Sequence, residues 1–346
     1  MSVEFEPKNM IFRNLGNSGL RVPVFSYGGW LTVGYEQKGD IVKELMKTAF
    51  ENGINMFDNA EAYNSGESEK EMGAAIKELG WDRRDIIVTT KIFFGTERKS
   101  RHNTRGLSRK HIVEGLNKSL ENLQLDYVDI VFAHRPDVTV PMEETVRAFN
   151  HVIDTGKAFY WGTSEWTPMQ IQQAIEIARR LNMIAPIADQ CQYNMLSREN
   201  FESRLEPLWK YENYGSTVFS ALAGGILTGK YNDGVPSDSR HKDNAKRFET
   251  EEGKAQLEHV RQVTKIAEKL GTNVSNLALA WVLKHPNASN VILGATKPEQ
   301  IKENVKALDV IPKLTPEIMA ELDKILDNKP KLGESYGRRA EDGTLI

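Results

Sequence analysis

The chain has 346 residues, 40% hydrophobic and 27% charged, with a formal net charge of −3: a soluble globular make-up, long enough for one large α/β barrel or two ordinary domains. That charge leaves no broad basic footprint for nucleic acid, no apolar run approaches the ~20 residues of a membrane span, and the N-terminus lacks a secretory signal's basic-then-apolar order. The single cysteine, Cys191, excludes an internal disulfide framework and any thiolate metal cluster, which points to a reducing, cytoplasmic setting.

In chain order, 10–24 reads as a small hairpin across the turn Gly16-Asn17-Ser18-Gly19. Strand 25–28 follows, then helix 40–52 capped by Asp40, strand 54–57, helix 67–79 and strand 86–90. Ser108 caps a helix that runs to 123, with Ile112, Leu116, Leu120 and Leu123 at helical spacing. Next come strand 128–133, helix 142–155 ended by Gly156, strand 158–162, and helix 167–182 entered through Thr167-Pro168. Strand 187–190, a helix at 199–212 and strand 216–219 precede a polar segment, 228–253. Helices 254–270 and 274–284, strand 291–293, helix 298–307, a further helix 315–326 and a polar tail, 331–346, complete the chain.

Eight strands alternating with helices at a spacing of roughly thirty to forty residues predict a (β/α)8 TIM barrel with an N-terminal β-hairpin and a C-terminal extra helix. No Gly/Pro-rich linker divides the halves, so 1–346 reads as one domain with its core at 10–330. The rival, a doubly wound sheet, needs a phosphate loop after an early strand, and Gly28-Gly29-Trp30 is too short for one.

A barrel places its chemistry just past the C-terminal ends of its strands. Asp58 and Tyr63 follow strand two, Lys91 ends strand three, His134 ends strand four, Ser164 follows strand five and Gln190 ends strand six. Singly, each has an ordinary alternative: Asp58 a helix cap, Lys91 a snorkelling surface residue, His134 a satisfied buried histidine, Tyr63 a packing phenol. Together at adjacent strand ends they read as one site. The other six histidines read as surface residues, and without a His-Glu-x-x-His pattern there is no metal site. A phenol titrates near pH ~10, and an adjacent ammonium lowers that value. Lys91 can supply the ammonium, Asp58 can fix and neutralise it, and His134 can polarise a substrate oxygen. Such a group suits reduction of a small carbonyl substrate with Tyr63 giving the proton; the hydride must come from a nicotinamide cofactor.

Several stretches also carry a family likeness: Gly53-Ile54-Asn55-Met56-Phe57-Asp58 with Tyr63, Thr89-Thr90-Lys91, Leu123-Gln124-Leu125-Asp126-Tyr127, Tyr160-Trp161-Gly162-Thr163-Ser164 and Leu293-Gly294-Ala295-Thr296. Over residues 10–330 the sequence resembles the aldo-keto reductases, and among them the β subunits of voltage-gated potassium channels with their microbial and plant relatives. The resemblance implies an NADP(H)-dependent reductase of aldehydes and some ketones, with Asp58, Tyr63, Lys91 and His134 as the catalytic tetrad. It implies that the nicotinamide lies near Gly29 and Trp30, with its amide on Ser164 and Gln190. The pyrophosphate would meet Phe219, Ser220, Leu222, Ala223, Gly224 and Gly225, then Lys230, with Arg240 in a flap above. The adenosine end would meet Gly294, Thr296, Gln300, Glu303 and Asn304. Read without the resemblance, Gly224-Gly225 is a turn and Lys230 a solvated charge.

The chain departs from that pattern. His134 stands where the channel subunits usually have Asn, Glu165 where they have Arg, Ala221 for a usual Pro and Phe219 for a usual Trp. Gln300 replaces the Arg that many reductases aim at the 2′-phosphate, so NADPH preference falls to Lys230, Arg240, Thr296 and Lys297. Since His134 completes the reductase tetrad, a reductase is the first expectation. A nucleotide-sensing channel subunit with slow catalysis is the second, although residues 1–9 are too few for a pore-blocking arm. The same resemblance implies a ring tetramer. Loop 93–104, basic through Arg98, Lys99, Arg101 and His102, reads as solvated rather than as a receptor for acidic substrates.

Overall fold

β-Branched and aromatic runs buried on both faces can pair only inside a covered parallel sheet, and here they do. The computed structural model describes residues 4–96, 102–237 and 239–332. A two-stranded antiparallel hairpin, β1 (Phe12–Asn14) and β2 (Arg21–Pro23), comes first. Then follow β3 (Phe25–Gly28), α1 (Asp40–Glu51), β4 (Met56–Asp58), α2 (Glu67–Leu79), β5 (Ile87–Ile92), α3 (Arg109–Leu123), β6 (Val128–Ala133) and α4 (Met142–Asp154). The second half adds β7 (Ala158–Ser164), α5 (Pro168–Arg180), β8 (Ala188–Gln192), α6 (Glu206–Glu212), β9 (Gly215–Phe219), α7 (Glu251–Lys269), α8 (Val274–Lys284), β10 (Asn290–Leu293), α9 (Pro298–Val305) and α10 (Pro316–Leu326). Strands β3 to β10 pair in parallel and in sequence order, and β10 returns to β3 to close the barrel. The expected (β/α)8 barrel, its hairpin and its extra helix are therefore the observed architecture.

The main core lies between sheet and helices. Phe149 of α4 stacks on Trp161 of β7 with ring centroids 4.8 Å apart, and Phe50 of α1 stacks on Trp81 at 4.3 Å. A second apolar cluster, including Leu15, Val22, Met56, Ile130, Phe132 and Ile187, joins the hairpin to the barrel interior. Gly16 makes that join possible: with φ +58° it sits so close that a Cβ would come within 2.4 Å of the Gly215 nitrogen. Arg13 fastens the hairpin further, donating to the carbonyls of Leu283, His285 and Ala288 at 2.7, 3.2 and 2.6 Å. That guanidinium caps the C-terminal end of α8, where a cation is favoured.

Local differences from the expected elements have physical causes. Asp40 is the first residue of α1 rather than its cap; Gly39 holds the cap position, and Asp40 pairs with Lys43 at 2.9 Å. The helix expected at 199–212 splits into a π-turn, Asn200–Arg204, and α6, because Pro207 has no N–H to continue the ladder. The polar segment after β9 holds two short 3-10 stretches, Ala223–Thr228 and Lys242–Phe248, and Thr250 starts α7 by accepting from the Gly253 N–H. His111 is buried rather than at the surface, its Nε2 lying 3.2 Å from the Glu61 carboxylate. Arg98, Lys99 and Arg101 of the basic loop, and the tail beyond 332, lie outside the described residues. No helix among the described residues is long and apolar enough to cross a membrane.

Candidate active site

Parallel register brings the strand ends level. Asp58 pairs with Thr89 across β4–β5, Lys91 with Phe132 across β5–β6, and Ser164 with Gln190 across β7–β8. Asp58 and Ser164 prove to be the last residues of their strands, and Lys91 and Gln190 lie inside theirs, which holds them more firmly than a loop would.

Lys91 is fully buried and spends its three N–H donors on three acceptors. They are Asp58 Oδ2 at 2.6 Å, the Asn59 carbonyl at 2.6 Å and the Tyr63 hydroxyl oxygen at 2.9 Å. The other Asp58 oxygen accepts from Thr89 Oγ1 at 2.6 Å and Gln190 Nε2 at 3.0 Å. Since the Tyr63 oxygen accepts from Lys91, its own hydrogen is left for a partner in the cavity. The His134 ring stands edge-on to Tyr63 with centroids 5.9 Å apart, and Phe94 meets the same ring at 5.0 Å. His134 Nδ1 is buried and has no partner among the described residues.

Electrostatics revise the expected acidic phenol. Burial holds the Tyr63 hydroxyl well above the usual phenol range, and the Asp58 carboxylate pushes the same way, opposed by the Arg135 charge. Burial also lowers the Lys91 ammonium, against the pull of Asp58. His134 is drawn well below the ordinary imidazole range by burial, then by Lys91 and Arg135. The resting site thus holds a protonated phenol and a neutral imidazole at neutral pH.

A cavity of about 660 Å³ opens above these groups. Of the residues expected in the site, Trp30, Asp58, Tyr63, His134, Ser164, Gln190, Phe219, Ser220, Leu222, Gly224, Gly225, Lys230, Arg240, Gly294, Gln300, Glu303 and Asn304 line it. Lys91 lies behind Asp58 and Tyr63; Gly29, Ala223 and Thr296 are not on its wall. Tyr35, Arg135 and Ser275, which sequence reasoning missed, also line it, as does Phe94 of the loop 93–104. Only Arg135, one residue past His134, carried a positional signal.

The walls fit an elongated anionic nucleotide. Ser220, Ala223, Gly224 and Gly225 all take left-handed backbone, φ 57°, 49°, 65° and 95°, and such runs form concave nests for anions. Two of these are not glycine, which is backbone strain of the kind kept at functional sites. At Gly225 a Cβ would come 3.1–3.2 Å from the end of Lys230. Arg240 lies over the Trp30 ring at 5.0 Å and Lys230 over Tyr231 at 5.2 Å, and neither pairs with a carboxylate among the described residues. At the far end, Gln300 Oε1 accepts from the Thr296 N–H at 2.7 Å, fixing the entry to α9. Glu303 is engaged by Asn273, Asn276 and Lys306 at 2.7, 3.0 and 2.6 Å.

Comparison with known proteins gives the family. A protein of Schizosaccharomyces pombe named "Putative voltage-gated potassium channel subunit beta" is 57% identical over 334 residues, which is 95% of this chain and 97% of that protein. Proteins of Oryza sativa subsp. japonica and Arabidopsis thaliana, each named "Probable voltage-gated potassium channel subunit beta", are 49% and 47% identical over 333 residues, 94% of this chain and 100% of each relative. The pattern of the aldo/keto reductase family matches residues 25–327, and the chain belongs to that family.

Proposed function

We propose that the chain is a nicotinamide-nucleotide-binding subunit of the channel-β type whose barrel retains a working carbonyl-reducing site. The names carried by relatives alike over nearly their whole length favour the regulatory role. They reverse the order expected from His134 alone: regulation comes first, and carbonyl reduction is the chemistry of the sensor.

The observation that carries the chemical half is the 2.9 Å bond from Lys91 to the Tyr63 oxygen at the cavity floor. It turns the phenol hydrogen outward and supplies a positive charge behind the oxygen as its proton leaves. Asp58 holds Lys91 in place, and neutral His134 offers a ring N–H to the substrate oxygen without competing for the proton. Ser164 and Gln190 would hold a nicotinamide amide, the Ser220–Gly225 nest with Lys230 and Arg240 a pyrophosphate, and the start of α9 with Lys297 an adenosine phosphate. A reduced nicotinamide nucleotide bound there supplies the hydride. NADPH is the nucleotide we infer, on the strength of these cations, and a ring tetramer in a reducing, cytoplasmic setting belongs to the same reading.

Two measurements test the two halves. Stopped-flow mixing of the NADPH-loaded protein with 4-nitrobenzaldehyde should show aldehyde-dependent loss of NADPH absorbance; none, in protein shown to bind NADPH, removes the reductase. Co-purification with a voltage-gated potassium channel should be unchanged by Tyr63→Phe; failure of the unaltered protein to co-purify removes the regulatory half.

A further inference from the structure

The mouth of the tetrad holds a cation that neither the reaction nor the nucleotide accounts for. Arg135 follows His134 directly past β6 and lines the cavity, half-buried. Its Nη1 donates to the His134 carbonyl and to Ser164 Oγ at 3.1 Å, both uncharged acceptors. Its Nε and Nη2 have no partner among the described residues, and no described carboxylate pairs with it. The acid of the site, Asp58, is already held by Lys91, Thr89 and Gln190. Two other arginines drawn into the fold are matched by carboxylates, Arg83 with Asp129 at 2.7 Å and Arg198 with Glu202 at 2.9 Å and Asp323 at 2.8 Å, while Arg13 spends its donors on the carbonyls that end α8.

A guanidinium so placed has a free planar edge beside the reacting groups, and that edge matches a carboxylate. The surrounding wall is aromatic: Trp30, Tyr35 and Phe94 face the same space. We propose that Arg135 is a carboxylate receptor and that the preferred substrates are aldehydes carrying a carboxylate across a short, flat spacer. The inference rests on the reductase reading of this cavity. In the reaction the carbonyl carbon gains the hydride and its oxygen gains the Tyr63 proton, leaving a primary alcohol and oxidised nucleotide. The carboxylate takes no part in bond changes.

The test compares kcat/KM for 2-, 3- and 4-formylbenzoate with their methyl esters, in the unaltered protein, Arg135→Gln and Arg135→Lys. Calorimetry of 3-(hydroxymethyl)benzoate binding to NADP-loaded protein gives a second readout. For at least one isomer the acid should exceed its ester about tenfold in the unaltered protein. That ratio should fall about tenfold in Arg135→Gln and partly recover in Arg135→Lys. An acid-to-ester ratio at or below one for every isomer overturns the proposal, and so does a ratio that Arg135→Gln leaves unchanged. Should Arg135→Gln not fold, the ratios of the unaltered protein decide. Should neither acids nor esters turn over in nucleotide-loaded protein, the reductase reading falls; calorimetry then decides, carboxylate binding lost in Arg135→Gln supporting the receptor, and binding that is absent, or unchanged in Arg135→Gln, overturning it.

Discussion

The Lys91 ammonium touches Asp58, Asn59 and Tyr63 at once, so its charge is shared between holding the site together and assisting proton departure. Tyr63→Phe removes the hydroxyl that gives the proton and accepts from Lys91, and leaves the ring in place. Aldehyde-dependent NADPH oxidation should then fall about 10²- to 10⁴-fold while circular dichroism and nucleotide binding persist, as stopped-flow and fluorescence titration would record. Burial and Asp58 raise the phenol rather than lower it, so the proton stays on Tyr63 through neutral and mildly alkaline solution. The reduction kcat should therefore show no phenol-dependent decline up to about pH 9, whereas an acidified phenol would give a falling limb near neutrality. His134 gives a stability prediction of definite sign. The unfolded chain binds a proton on that ring below about pH 6.5, and the folded chain does so only at much lower pH, so unfolding takes up protons and stability falls as pH drops below that value. Urea titrations at pH 7 and pH 5.5 should show a smaller loss for His134→Asn than for the unaltered protein. The four tetrad positions were legible because a parallel barrel sends strand ends to one face. Asn59, Thr89 and Phe94 were not, because a backbone carbonyl or a ring edge has a role only once its neighbour is known.

Just past β5 the stretch 93–95 passes beside His134, and the Glu61 carboxylate holds it there. Glu61 Oε1 accepts from the Phe93 N–H at 2.7 Å and the Gly95 N–H at 2.8 Å, with His111 Nε2 3.2 Å away. Glu61 is itself buried, so Glu61→Ala strands these groups without solvent to replace the acceptor. The cost should be about 3 kcal/mol or more in urea unfolding, with Glu61→Gln much milder because its carbonyl oxygen can keep the two backbone bonds. A loss under about 1 kcal/mol for Glu61→Ala would mean the loop holds itself. At this scale the sequence was read well where local chemistry decides: Ser108 caps α3, Thr167 caps α5 ahead of Pro168, and α2 spans the expected residues. It was read poorly where tertiary packing decides. Glu61 drew no reading from the sequence, and the split before α6 shows only in the backbone path around Pro207.

Barrel closure sets the walls of the cavity at the scale of the whole molecule. The lining residues come from β3, β4, β7, β8, β9 and β10, from the loops after them, including the Ala223–Thr228 turn, and from α8 and α9, segments separated by most of the chain. The alternation of strands and helices made the barrel legible, but a groove shared by so many segments is defined only once β10 meets β3. A ligand touching all of them stabilises the fold as a unit, since no part of the groove survives unfolding. NADPH at a hundredfold excess over its Kd should add about 2.7 kcal/mol, a rise of a few degrees in Tm by scanning fluorimetry. If the entry to α9 with Lys297 holds the adenosine 2′-phosphate, the rise should be larger with NADPH than with NADH at equal concentration. Gly225→Ala should reduce it, because the new Cβ must displace the end of Lys230 and sit at φ 95°. Equal shifts from NADH and NADPH would remove the assigned 2′-phosphate contact while leaving the groove intact. No shift with either, in protein that unfolds cooperatively, would mean that the left-handed Ser220–Gly225 turn is strained for some purpose other than holding a nucleotide.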